Sequence, residues 1–221
     1  MTTIVRPGPD RVVTTTGLVS EYRSFAELIG QLDASQWTRE TRCVGWQVRD
    51  VAGHVVGQAV DTVSGVIGTR TPDDQAAALR GESPAALAGR LQTAADSVAR
   101  LAVVIDEASW LAPSPVPGLT LGQGVHALLN DAYVHGDDIR CAVGLPFDAG
   151  PALHASLDFV LGALLRDDAA AAEPAVARLL GASVEQFPRQ TGMAAHEFLL
   201  AATGRGDPAH LRLPDCVNIY R

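Results

Sequence analysis

No lysine occurs in the 221-residue chain: all 17 of its basic side chains are arginine, set against 25 aspartates and glutamates for a net charge of -8. Such a balance repels phosphate backbones and anionic lipid headgroups, so neither nucleic acid nor a charged membrane surface is an expected partner. Cysteine is scarce as well. Cys43, Cys141 and Cys216 are odd in number and widely spaced, with no CxxC pair, which argues against both a disulfide framework and a thiolate metal site and fits a reducing, cytoplasmic setting. No stretch approaches the roughly 18 consecutive apolar residues of a membrane span, and MTTIVRPGPDR has no apolar core of a secretory signal. What the chain does have is apolar material, 47 % of its residues against 19 % charged. That is enough for a packed core and too little polarity for extended disorder.

The apolar residues recur at helical steps. Leu18, Tyr22, Phe25, Ile29 and Leu32 are three or four residues apart, predicting a helix from about Val12 to Leu32 with one inward face. A second is expected from Gln47 to about Gly68 through Val48, Val51, Val55 and Ile67, after which TRTPDDQ reads as a loop. Ser83-Pro84 has the residue types of an N-cap and first turn, and Leu87, Leu91, Ala94, Val98, Leu101 and Val104 follow. The proline-rich APSPVPGLTLGQG leads into a fourth helix from Leu121 to Val143, stopped by Gly144 and Pro146. Shorter helices are expected from Pro151 to Leu165, Glu173 to Leu180 and Gly192 to Thr203. HLRLPDCVNIYR alternates around Pro-Asp and predicts a short β-hairpin. The expectation is an all-α fold: a helical bundle over residues 10–165, and a helical cap with short strands over 166–221 packed on it.

Two helices carry polar strips inside apolar patterns. Asp50, His54, Gln58 and Asp61 follow one another at steps of four, four and three, and Asp131, His135 and Asp138 at four and three, so each set shares a helix face. An i, i+4 carboxylate and imidazole, with Cβ atoms roughly 6 Å apart, can converge on one ion. A third ligand from another helix completes a set that leaves positions open for water or substrate. His54, Asp131 and His135 are that candidate set. Asp50, Gln58 and Asp138 are candidates to orient imidazole nitrogens, and Asp61 lies on the same strip as a candidate for the surrounding pocket. Two histidines and one carboxylate suit zinc, iron, nickel or manganese, and ligand type alone does not choose among them; zinc is the expected ion. Spacing alone does not establish a metal site, because a DxxxH pair is common in helices. His126 points away from His135 around the fourth helix, and His154, His196 and His210 lie outside both strips. Trp46 reads as a hydrophobic anchor at the start of the second helix.

Whole segments narrow the reading. CVGWQVRDVAGHVVG, with Gly45, Trp46, Arg49, Asp50 and His54, and DAYVHGDDIRCAVGLP, with Asp131, His135, Asp138, Ala142 and Gly144, resemble the two signatures of the DinB-like, mycothiol-dependent maleylpyruvate isomerase N-terminal family. PVPGLTLG before the second signature and TGMAAHEFLLAATGRGDP near the end are similar to that family too. The resemblance implies an up-down-down-up four-helix bundle with a divalent metal at one open end, and His54 and His135 as ligands. Many relatives place Glu where this chain has Asp131, one methylene shorter.

From the resemblance follows an expected function: a metal-dependent enzyme using a low-molecular-weight thiol such as mycothiol, for transfer to or isomerisation of a small electrophilic metabolite. A metal-dependent hydrolase or lyase uses the same open position differently. A noncatalytic bundle that binds a small molecule or a protein partner is the alternative from another class. A small-molecule substrate and a thiol are the implied partners, with a homodimer as the assembly family members often form.

Overall fold

The computed structural model describes Arg6 and residues 8–220; the first five residues and Pro7 of the leader, and Arg221 of the tail, lie outside the described residues. Helix α1 (Arg11–Gly30) begins where the Asp10 carboxylate accepts from the Val13 N–H at 2.8 Å. It buries Leu18, Tyr22, Phe25 and Ile29 along the expected stripe. After the short α2 (Ala34–Trp37) come α3 (Val48–Val63), α4 (Pro72–Leu79) and α5 (Pro84–Val104). The brief α6 (Glu107–Leu111) precedes α7 (Leu121–Val143). Thr120 caps α7 through the Gln123 N–H, and Gly144 ends it with φ +81°, a left-handed conformation that costs glycine least. Helix α1 packs against α5 and α7, and α3 packs against the same two. Together these elements form one compact unit, Pro9–Asp148.

Three expectations are corrected within this unit. TRTPDDQ is not a loop: Thr71 and Asp74 form a reciprocal capping box and Pro72 occupies the first turn of α4, the arrangement that satisfies unpaired N–H groups at a helix start. Helix α3 stops five residues early, at Val63, because Gly65 at φ +73° breaks it. The stripe of α5 holds only to Val98, and Leu101 and Val104 are exposed.

Helix α3 is buried nearly all round because α4 lies across it. Close approach is allowed by two glycines one turn apart. A Cβ at Gly53 would stand 3.1 Å from the Ala76 carbonyl oxygen, and one at Gly57 would stand 2.8 Å from Cβ of Gln75. A side chain at Gly57 would force a shift, and one at Gly53 would press on the α4 backbone.

Residues 149–220 with Arg6 and Gly8 form the second compact unit. It holds α8 (Pro151–Arg166), α9 (Asp168–Ala172), α10 (Pro174–Leu180), α11 (Phe187–Thr191) and α12 (Ala195–Ala202). Its core gathers Leu157, Leu161, Val176, Phe187 and Phe198, with the two phenyl rings 5.1 Å apart. Helix α8, read above as the close of the bundle, belongs to this unit. The expected hairpin is absent: no β-strand occurs among the described residues, and the tail makes two 3-10 turns, Pro208–Leu211 and Asp215–Val217. Asp207 caps the first by accepting from the Ala209 N–H at 2.9 Å, and Ile219 N–H bonds to Ala202 at the end of α12 rather than across a turn. The Pro-Asp signal thus starts a tight helical turn instead of reversing a strand.

Between α1 and α7 lies a small pocket lined by Glu21, Tyr133, Asp137, Arg140 and Asp148. Burial pushes the Glu21 carboxyl up to about 7; Asp148 adds to the shift and Arg140 opposes it. Between the ordinary value and about 7 the folded chain holds a proton that the unfolded chain has released, so stability falls as pH rises through that window. Replacing Glu21 with Gln removes the buried charge. Thermal melts should show Glu21→Gln more stable than wild type by about 2–4 kcal/mol at about pH 8, with the gap closing towards about pH 4.

Candidate metal centre

Four segments of the first unit build the centre: the loop before α3, then α3, α4 and α7. The loop folds back on itself through an isolated bridge between Glu40 and Gln47 and a turn in which the Trp46 N–H bonds to the Cys43 carbonyl at 2.9 Å. Gly45, with φ +81°, makes that turn. It sets the Cys43 and Trp46 side chains beside the imidazoles of α3 and α7.

His54 on α3 and His135 on α7 are both buried, with rings 5.1 Å apart and nearly perpendicular. Their Nε2 atoms converge on Asp131. His54 Nε2 is 3.3 Å from Oδ2 and His135 Nε2 is 3.6 Å from Oδ1. The ligand atoms of all three lie within 4.8 Å of one another. Metal–nitrogen and metal–oxygen bonds of about 2.0–2.2 Å at tetrahedral angles would put such atoms roughly 3.3–3.6 Å apart. The donor set and its spacing therefore fit a divalent ion. Asp131 keeps 24 % of its side chain exposed, giving the group of three a way out to solvent.

Each imidazole is held from behind. His54 Nδ1 lies 2.8 Å from Oε1 of Gln75 on α4, whose Nε2 donates to Asp61 Oδ2 at 2.8 Å. Because the amide nitrogen is committed to Asp61, its oxygen faces the ring and accepts, so the proton of neutral His54 sits on Nδ1. Arg70 grips Asp61 with two hydrogen bonds. Burial raises the Asp61 carboxyl, but the hydrogen bonds from Arg70 and Gln75 outweigh it and hold the group below the ordinary carboxylate value. On α7, His135 Nδ1 lies 3.0 Å from Asp138 Oδ2, which takes the same proton. Both Nε2 atoms are left with lone pairs facing Asp131. Arg42 fixes Asp138 from the other side, with Nε 3.1 Å from Oδ1, and pairs with Asp137 at 2.6 Å.

The expected residues thus have separate fates. His54, Asp131 and His135 come together; Asp138 touches His135 directly, and Asp61 reaches His54 through Gln75. Asp50 instead caps α3, accepting from the Gln47 N–H at 3.0 Å, and pairs with Arg80 at 2.7 Å. Gln58 is half-buried and makes no side-chain hydrogen bond to either imidazole among the described residues.

Gln75 and Arg70 were not foreseen, Cys43 was set aside as a ligand, and Trp46 was read only as a hydrophobic anchor. The Thr71–Asp74 capping box was the signal for α4 and hence for Gln75. Cys43, excluded above from any thiolate site, has Sγ 3.2 Å from Asp138 Oδ2 and 3.8 Å from His135 Nδ1. Trp46 is more than an anchor. Its ring lies 5.5 Å from that of His54 and 6.3 Å from that of His135, and Nε1 donates to Asp73 on α4 at 2.9 Å.

The family model described as the mycothiol maleylpyruvate isomerase N-terminal domain matches residues 18–140, more than half of the chain and every residue of this centre. The chain matches no curated protein and no solved structure.

The depressed Asp61 carboxyl contributes stability that is present above the ordinary carboxylate pKa and is lost as pH falls through its lower folded value. Arg70→Ala should therefore lower Tm by a few degrees at neutral pH. Melts in progressively more acidic buffer should show the difference from wild type shrinking as the carboxylates protonate.

Proposed function

The chain belongs to the mycothiol maleylpyruvate isomerase N-terminal domain family, and we propose that it is a metal-dependent enzyme acting with a low-molecular-weight thiol of the mycothiol kind on a small electrophilic metabolite. The reaction is transfer of the thiol to that metabolite, or its isomerisation by addition and release. In this reading α1, α3, α5 and α7 are an up-down-down-up four-helix bundle, His54, Asp131 and His135 are the ligands, and zinc is the resident ion.

One observation carries the proposal: both imidazoles have their Nδ1 protons taken by fixed acceptors, Gln75 Oε1 at 2.8 Å and Asp138 Oδ2 at 3.0 Å, while both Nε2 atoms face one carboxylate. Histidines of an ordinary core need no such double arrangement. Metal ligands do, because ring orientation and tautomer both have to be set before the ion arrives.

When bound, a divalent ion lowers the pKa of a coordinated thiol, so that the thiolate nucleophile is available near neutral pH. The protein's own groups supply the rest. Asp131 brings the one negative charge among the three ligands and the exposed edge through which small molecules approach. Trp46 shields the two rings on one side and limits water there. Arg42 offsets part of the charge of Asp137 and Asp138, leaving less negative charge to repel an anionic thiolate.

Protein purified without an affinity metal should contain about one ion per chain, with a large drop in both His54→Ala and His135→Ala. Equal metal content in all three overturns the ligand assignment. Gln75→Leu should weaken metal binding by about 10–100-fold while leaving helix content unchanged, since it removes the acceptor behind His54 and the amide donor to Asp61 but no backbone contact. Incubation with mycothiol and a chlorodinitroarene should give conjugate that depends on the metal. A loaded protein that forms no conjugate and shows no thiol-induced thermal shift would instead support a noncatalytic bundle.

A further inference from the structure

His135 has metal-ligating neighbours at both of its ring nitrogens. Nε2 faces Asp131 and His54, as described. Nδ1 faces Asp138 Oδ2 at 3.0 Å and Cys43 Sγ at 3.8 Å, and sulfur and oxygen are themselves 3.2 Å apart. The ligand atoms of Cys43, His135 and Asp138 lie within 4.8 Å of one another, as do those of the first group. For a tetrahedral ion with a thiolate at about 2.3 Å and lighter donors at roughly 2.0–2.2 Å, the ligand atoms would stand about 3.3–3.6 Å apart. The three observed separations bracket that range. Arg42 engages Oδ1 of Asp138, so Oδ2 is the oxygen presented to the sulfur and the ring.

We propose that Cys43, His135 and Asp138 form a second metal position, alternative to the first, that takes thiophilic divalent cations such as cadmium and zinc. A thiolate donor favours such soft cations over magnesium or manganese. The two positions exclude each other because a neutral imidazole carries one proton. An ion on Nε2 leaves that proton on Nδ1, donated to Asp138. An ion on Nδ1 moves it to Nε2, which stands 3.6 Å from Asp131 Oδ1.

The proton balance is explicit. The Nδ1 proton transfers within the ring system to Nε2 by exchange with solvent, the Cys43 thiol loses its proton to solvent as the sulfur–metal bond forms, and Asp138 binds as the carboxylate. One proton is released per cation, and no oxidant or reductant takes part. The position shares His135 with the ligand set of the proposed enzyme but uses neither His54 nor Asp131, so variants of those two residues test the two positions apart.

The test is a cadmium titration of the metal-free full chain carrying Cys141→Ser and Cys216→Ser, followed by thiolate-to-cadmium absorption in the ultraviolet and by proton release. The expected result is a band that saturates at about one cadmium per chain with about one proton released. The band should persist when His54→Ala is added and vanish when Cys43→Ser is added. Cadmium bound without the band, or a band unchanged by Cys43→Ser, overturns the proposal. A second measurement uses His54→Ala, in which the competing Nε2 position is dismantled: cadmium should protect Cys43 from alkylation by iodoacetamide, read by peptide mass. Alkylation of Cys43 at an unchanged rate overturns the proposal equally. If His54→Ala keeps the band yet loses the ion that co-purifies with wild type, both positions exist.

Discussion

The place of one proton on each of two imidazole rings governs what this centre can do. Gln75 takes it from His54 and Asp138 takes it from His135; were either acceptor missing, the ring could turn or tautomerise and present N–H where a lone pair is needed. Most of the surrounding polar structure can be traced to that requirement. Arg70 holds Asp61, Asp61 holds the Gln75 amide, and the amide orientation sets His54. Each link leaves the next group one remaining option, which is how a chain of ordinary hydrogen bonds fixes a tautomer at its end.

The same requirement reaches into backbone packing. Gln75 can reach His54 because α4 lies close across α3, and it lies close because Gly53 and Gly57 bring no side chain to the contact. A Cβ at Gly57 would push against Cβ of Gln75 itself. The pair of glycines therefore positions a hydrogen bond, although glycine inside a helix costs roughly 0.5–1 kcal/mol relative to alanine. The capping box of Thr71 and Asp74 acts on the same contact, since it sets where α4 begins and so which residue of α4 falls opposite His54.

How much of this the sequence discloses depends on the range of the interaction that writes each feature. Helices α1, α5 and α7 were legible to within a residue or two because their ends are local: Asp10, Ser83 and Thr120 cap them, and Gly144 terminates α7. The convergence of Asp131 and His135 is legible too, being a single turn of one helix. Gln75, Cys43 and Trp46 were not, since each meets its imidazole across a packing contact that no local spacing records. Helix α4 was lost for a different reason: proline and acidic residues were read as breakers, when in that order after threonine they start a helix. The tail failed in the opposite direction, as one apolar residue per 3-10 turn imitates the alternation of a strand.

Asp131 makes the geometry of the first position depend on helix packing more than a longer carboxylate would. Its partner His135 is fixed to it by one helical turn, whereas His54 is brought to it only by the packing of α3 on α7. A glutamate has an additional rotatable bond with which to follow a shift of α3. An aspartate has little reach to spare, so the 3.3 Å approach to His54 depends on the packing of α3 on α7, helices on which Val51, Val55, Leu128 and Ile139 are buried. A shift that widened this approach would spread the donor atoms around Nε2 without touching Cys43, Asp138 and Nδ1, all of which are tied to α7 or to the loop that Arg42 fastens to it. Of the two sides of His135, the one that contains the thiol is therefore the less sensitive to movement between helices, and the one that contains His54 is the side on which packing sets the spacing of the donor atoms.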